Sequence, residues 1–187
     1  EVVLKGVISA KKLNAEAADT VNASVYSSAS DYSGTADTST VSGTVNGSPG
    51  TFVNISGAEI TTDGDVNIKT KSDTHVTADS VMDASVSGQD NVDVSSEMNM
   101  IIDSAVIMGD KTSITSESGN IYINAAVDKI YAENSADAET SSSAEFTLKP
   151  SAKTDIQAYA RVEGQNQADV TLTAPVGSVT LPAVIPE

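Results

Sequence analysis

The stretch Gly64-Asp65-Val66-Asn67-Ile68 decides the fold, because a glycine is followed there by two apolar residues two positions apart. Residues two apart in a β-strand point to the same face, so the apolar pair shares one face and the polar residue between lies on the other. The unit recurs as Gly119-Asn-Ile121-Tyr-Ile123 and Gly177-Ser-Val179-Thr-Leu181. Glycine favours the tight bend or positive φ that begins a strand. Short strands separated by turns are therefore predicted.

Alternation of apolar and polar residues continues outward from this unit along most of the chain. Few windows have the helical spacing, and the best helical candidates are the Ala-rich stretches from Lys11 to Ala18 and from Ala125 to Ala138. Outside these two stretches, the chain is predicted to form strands whose apolar face points into the core. The residues predicted to form this inward ladder are Val66, Ile68, Val92, Val94, Ile121, Ile123, Val170 and Leu172.

The composition favours thin, repeated β-layers. Among 187 residues there is no Trp, with two Phe and five Tyr, whereas Ser, Thr, Ala and Val are abundant. A sandwich of two sheets normally uses large aromatic residues in its core, but a solenoid accepts ladders of small and β-branched residues. The sequence therefore predicts an all-β, elongated β-helix (β-solenoid), with the two-sheet sandwich as the alternative.

Three segments are predicted along the chain. Residues 1–20 form an N-terminal strand and junction, and residues 21–50 form a Ser/Thr/Gly-rich thin β-repeat or loop. Residues 51–187 form the β-helical part. Prolines punctuate its end, where a ladder of strands has to close its last edge.

Charge and residue content exclude several functions. The formal net charge of −16 repels nucleic acid, so no nucleic-acid partner is expected. The chain has no cysteine, which excludes disulfides and thiolate metal sites. No phosphate loop, nucleotide fingerprint or serine elbow is present, so the chain is predicted not to be an enzyme and to need no cofactor.

Two motifs are considered as candidate metal-binding sites. His75 is the only histidine and is expected on a strand surface, although three copies on a trimer axis would form a metal or anion site. Asp63-Gly64-Asp65 lacks the remaining oxygen ligands of a calcium loop and is typical of a β-turn. No catalytic or metal-binding residue is therefore predicted.

From about Thr51 onward, the repeated glycine units and the run from Asp169 to Pro182 resemble the β-helical needle of central spike proteins. These proteins sit at the tips of bacteriophage tails and related contractile injection systems. The resemblance implies an interwound homotrimer that pierces the cell envelope and attaches to tail hub or baseplate proteins, located at a virion tail tip or an extracellular injection apparatus. The family's His-x-His metal pair is missing here. The implied tip consists of Val179, Leu181, Pro182, Val184, Ile185 and Pro186.

The alternative function is a single-chain β-solenoid adhesin or surface-filament subunit at the cell surface. A monomer with an exposed flat face, or end-to-end polymers, would favour this alternative over the spike.

Overall fold

The computed structural model describes residues 1–31, 38–84, 91–140, 147–164 and 169–185. Within these ranges the chain forms β-strands and no helix. The strands are β1 (Val2–Ala10), β2 (Leu13–Asp31), β3 (Thr38–Gly47), β4 (Gly50–Thr62), β5 (Val66–Ala84), β6 (Asn91–Met108), β7 (Thr112–Ser116), β8 (Ile121–Thr140), β9 (Thr147–Glu163), β10 (Val170–Thr173), β11 (Val179–Thr180) and β12 (Ala183–Val184).

The strands form two parallel sheets that pack face to face. Sheet I contains the seven strands β1, β3, β4, β6, β7, β9 and β10, and sheet II contains the five strands β2, β5, β8, β11 and β12. The chain alternates between the sheets, so that each return to a sheet places a new strand beside the previous one. Asn67 pairs with Asn14 at a separation of 53 residues, and Ser178 bonds to Asn120 at a separation of 58. One pass through both sheets therefore takes 53–58 residues.

The predicted β-helix is wrong, although the all-β class is confirmed. Pairing among the described strands gives two separate sheets that do not close into a tube. The strands are also much longer than expected, since β2 pairs with β5 over all of Leu13–Asp31. One chain supplies both faces of its core, and Ile68 and Ile123 are fully buried within it. The interwound arrangement of three chains is therefore wrong too.

The Ala-rich helical candidates lie largely in β2 and β8. The boundary predicted between residues 20 and 21 falls inside β2, whereas β4 begins at Gly50, close to the second predicted boundary. In β2, Ala15 and Ala17 face the interior and are nearly inaccessible. Small side chains fit where two sheets approach each other closely, which explains why alanine is used here in strands despite its helical preference.

The interior has an apolar part and a part rich in hydroxyl groups. Val53, Ile60, Val66 and Ile121 belong to the largest apolar cluster, beside the turns that lead from sheet I to sheet II. Farther along the sheets the inward positions include Thr70, whose Oγ1 accepts a 2.7 Å hydrogen bond from Ser104 Oγ across the sheets. Other buried hydroxyls have no hydrogen-bond partner among the described residues; they include those of Thr51, Ser72, Thr74, Ser80 and Ser96.

Each pass through sheet I contains one bend with a positive φ. The residues concerned are Gly6 (φ 77°), Gly57 (φ 60°), Lys111 (φ 58°) and Gly164 (φ 86°). The Gly57 N–H donates to the carbonyl of Asp110 at 2.9 Å, which ties the bends of neighbouring strands together. Glycine adopts this backbone conformation without the steric cost that other residues incur. The bends are therefore stacked features of the sheet and not isolated irregularities.

Candidate functional site

The outer face of sheet II carries a dense group of polar and aromatic side chains. The inward positions of β2, β5 and β8 are occupied by residues such as Ala23, Val76 and Ala132, so the intervening residues point outward. In-register pairing then places equivalent outward residues side by side across the three strands. The central column consists of Asn22, His75 and Tyr131.

His75 and Tyr131 are in direct contact. Their ring centroids are 4.4 Å apart and their planes are inclined by 74°, an edge-to-face arrangement. The Tyr131 hydroxyl donates a 2.9 Å hydrogen bond to Oε2 of Glu133, two residues along the same strand. This hydrogen bond to the carboxylate, together with its negative charge, raises the pKa of Tyr131. The two rings are thus held by neighbours while Tyr131 stays 51% exposed.

A charged cluster lies beside this column. Lys71 Nζ is 3.2 Å from a carboxylate oxygen of Asp73 and 3.2 Å from one of Asp128. Asp128 is the extra residue of a β-bulge in β8, because the pairing of β5 with β8 shifts between Ser72 and Asp73. Hydrogen bonds from Lys71 to Asp128 and then to Asp73 raise the pKa of Lys71. The bulge therefore brings a second carboxylate to this lysine.

Two shallow depressions adjoin the column. One has a volume of about 260 Å³, and the other, of about 210 Å³, shares Asn22 and His75 with it. Thr20, Asp73, Lys129 and Tyr131 complete most of the first lining, and Ser24 and Thr77 contribute to the second. Nearly every one of these side chains can donate or accept a hydrogen bond, so the depressions suit a polar ligand.

The register of β2, β5 and β8 thus brings an amide, an imidazole and a phenol together on one face. No protein-family model, curated protein or solved structure matches this chain. Within the described ranges, no group of three or more His, Cys, Asp or Glu side chains is placed to hold a metal ion. No helix in the same ranges is long and apolar enough to cross a membrane.

The residues of the predicted inward ladder lie in both sheets. Val66, Ile68, Val94, Ile121 and Ile123 are fully buried. Val170 and Leu172 in β10 are half-buried and pack against the main apolar cluster. Val92 lies in β6, and its side chain is outside the described part of the structure.

The predicted tip segment lies along the edge of sheet II. Val179 pairs with Ile121, Val184 pairs with Ala126, and the carbonyl of Pro182 accepts a hydrogen bond from the Ala125 N–H at 3.2 Å. Leu181 and Pro182 are half-buried, whereas Val179, Val184 and Ile185 are exposed. Pro186 is outside the described residues.

Asp63-Gly64-Asp65 forms the turn between β4 and β5. The Asp63 N–H donates to the carbonyl of Ala10, and Asp65 Oδ1 accepts the N–H of Asn120 at 3.0 Å. His75 lies on the outer surface of β5, as expected from the sequence, but its contact with Tyr131 was not predicted because the two residues are far apart in the chain. Only the spacing of the glycine units, close to the length of one pass, carries a signal that they meet.

Proposed function

We propose that this chain is a non-catalytic structural protein, a stiff component of the tip of a phage tail or a related injection machine. The observation that supports this proposal is the long in-register pairing of strands from successive passes. β2, β5 and β8 pair side by side over nearly their whole lengths. Many backbone hydrogen bonds then have to break together before neighbouring strands of this sheet separate, which favours resistance to force.

Side-chain contacts between successive passes also favour resistance to force. Lys69 Nζ lies 3.0 Å from Glu16, and Lys153 Nζ lies 3.0 Å from Glu97, each pair joining neighbouring strands. Arg161 binds both carboxylate oxygens of Asp103 through Nε at 3.1 Å and Nη2 at 2.5 Å. A two-point contact of this kind fixes geometry better than a single ion pair. Such contacts would resist sliding of one strand along the next.

The partners proposed for such a spike are two further copies of the chain, tail hub or baseplate proteins and the cell envelope. In a spike, the homotrimer would form by side-by-side association of complete two-sheet chains, since each chain buries its own core. The trimer would attach to tail hub or baseplate proteins and press against the cell envelope. The acidic charge of −16 would keep such an assembly soluble and limit lateral sticking.

The open strand edges favour a second candidate, a surface-filament subunit. Among the described strands β2 pairs with β5 alone, and β9 pairs with β6 alone. Unpaired edges are templates for pairing with another chain. End-to-end addition of copies through these edges would produce a filament.

Light scattering on a size-exclusion column, combined with SDS gels of unboiled and boiled protein, separates these candidates. An SDS-resistant species of about three times the 19.1 kDa chain mass supports the spike. A series of longer polymers supports the filament. A clean monomer across the accessible concentration range overturns the trimeric spike.

A further inference from the structure

We propose that the outer face of sheet II, centred on Asn22, His75 and Tyr131, binds a neutral polysaccharide. This inference does not depend on the mechanical function proposed above. It rests on the side chains that the sheet register brings together, on the depressions between them, and on the charge of the chain.

The exposed aromatic groups are concentrated on this face. Tyr26, Tyr122 and Tyr131 all point outward from sheet II, as does His75, whereas the whole chain contains five tyrosines and one histidine. Tyr26 is 68% exposed and Tyr122 is 38% exposed. An aromatic ring that remains accessible offers a surface on which the C–H groups of a sugar ring can stack. Exposed tyrosines gathered on one face therefore indicate a contact surface.

The polar neighbours supply the hydrogen bonds that sugar hydroxyls require. The column of Asn22, His75 and Tyr131 is flanked by Thr20, Asp73 and Lys129 on one side and by Ser24, Thr77 and Glu133 on the other. Strands lie ~4.8 Å apart and outward residues ~6.7 Å apart, so these nine side chains cover a patch of about 10 by 13 Å. A patch of this size accommodates a disaccharide unit and offers it both donors and acceptors.

The rings are already positioned before a ligand arrives. The edge of one ring rests on the other, with centroids 4.4 Å apart, and Glu133 holds the Tyr131 hydroxyl. Side chains that are fixed in advance lose less conformational entropy on binding. This arrangement favours useful affinity even from a shallow site.

The charge of the chain selects a neutral ligand. A net charge of −16 repels anionic polymers, including nucleic acid and acidic glycans. Lys71, a cation beside the column, is already paired with Asp73 and Asp128. Within the patch the single cation, Lys129, is outnumbered by the carboxylates of Asp73 and Glu133. Binding therefore has to come from stacking and hydrogen bonding, the interactions that an uncharged sugar offers.

A second position on the same face indicates a polymer rather than a single sugar. Tyr122 lies on β8 with Tyr131 and lines a depression of about 510 Å³ together with Asn14, Asn67 and Lys69. Tyr122 and Tyr131 pair with Asn67 and His75, which are eight residues apart on β5, so at ~3.3 Å per residue the two tyrosines are about 26 Å apart along the strand. A polysaccharide lying along β8 would contact both positions, and the second contact would strengthen the first.

The test uses cellohexaose, maltohexaose, chitohexaose and mannohexaose, with the corresponding disaccharides, in isothermal titration calorimetry. We expect one hexasaccharide series to bind, with its disaccharide at least tenfold weaker. Tyr131→Ala and His75→Ala should each weaken binding about tenfold. Tyr159→Ala is the matched control, because Tyr159 lies in sheet I, is 45% exposed and donates a 2.8 Å bond to Gln157 two residues away.

Circular dichroism and thermal melts of each variant show whether the fold is retained. The proposal is overturned if no hexasaccharide binds with a millimolar or lower Kd, or if Tyr159→Ala weakens binding as much as Tyr131→Ala. Binding that persists in a Tyr131→Ala, His75→Ala double variant also overturns it. Failure of these tests leaves the mass measurement for the spike unaffected.

Discussion

Oδ1 of Asp65 accepts the backbone N–H of Asn120 at 3.0 Å, although the two residues are 55 positions apart. Oδ1 of Asn120 in turn accepts the backbone N–H of Ser178 at 3.0 Å and its hydroxyl at 3.1 Å. These three residues hold the same place in the three glycine units of the sequence. Each glycine unit therefore forms a turn. In the first two units, the side chain of the residue after the glycine accepts the backbone N–H of the equivalent residue in the next unit.

Replacing Asn120 by alanine should lower the free energy of unfolding by about 1–2 kcal/mol, because the Ser178 N–H loses its acceptor. Urea denaturation followed by circular dichroism measures this loss. Asn67→Ala is the control, since the Asn67 amide donates to another exposed side chain, that of Asn14, and its loss should be about 0.5 kcal/mol or less. Equal losses in the two variants would contradict the role assigned to the turn.

Stability should depend on the ionisation of Asp65. The N–H of Asn120, followed by the charge of Lys12, lowers the pKa of Asp65 below its ordinary value of 3.8. The carboxylate therefore contributes stability above pH 3.8, and this contribution is lost as the pH falls through the lowered pKa. Asp65→Asn should be less stable than the parent near neutral pH, and the difference should disappear in acid. A difference that stays constant from neutral pH to pH 2 would show that ionisation is not involved.

The glycine of the unit is needed for close approach of the backbone. A Cβ atom on Gly119 would overlap the backbone N of Asp65 and the carbonyl carbon of Gly64 in the turn beside it. Gly119→Ala should therefore lower the free energy of unfolding by about 1–3 kcal/mol. Gly64→Ala should cost less, because its nearest neighbour would be the Lys11 carbonyl oxygen at 3.3 Å. Thermal melts of both variants test the order, and a larger loss for Gly64→Ala would refute it.

The buried hydroxyl groups should differ in their effect on stability. Thr74 Oγ1 is buried without a hydrogen-bond partner in the described part of the chain, so Thr74→Val should raise the free energy of unfolding by up to about 1 kcal/mol. Thr70→Val should lower it by about 1–3 kcal/mol, because Ser104 Oγ then loses its acceptor across the sheets. Parallel urea titrations measure both changes. A loss of stability in Thr74→Val would indicate that a bound water satisfies this hydroxyl.

The sequence predicts the β class because apolar alternation survives in the glycine units and the inward ladder. It does not predict the long strands, since the inward residues Thr70, Ser72 and Thr74 are polar, as are the outward Lys69 and Lys71. Where both faces read as polar, the apolar alternation disappears although the strand continues. The predicted role of glycine was also incomplete, as Gly119 is needed for backbone contact and not for a positive φ.

The candidate site was beyond sequence reasoning for a different reason. His75 and Tyr131 meet only because β5 and β8 pair with one bulge between Ser72 and Asp73. Without the bulge, the outward residues after it would move to the opposite face. A one-residue irregularity a few residues before each ring therefore determines whether the pair forms, and no local pattern in the sequence records it.

The constant return of the chain to the same turn restricts how proteins of this design can evolve in length. An insertion of an odd number of residues within a strand would exchange its inner and outer faces, and an even number would shift its register, whereas duplication of one whole pass preserves the neighbour relationships. Each duplication would add 53–58 residues and extend both sheets by ~4.8 Å. The gene would thus lengthen by whole passes, and the width of both sheets in the hydrogen-bonding direction would increase by one strand spacing per pass.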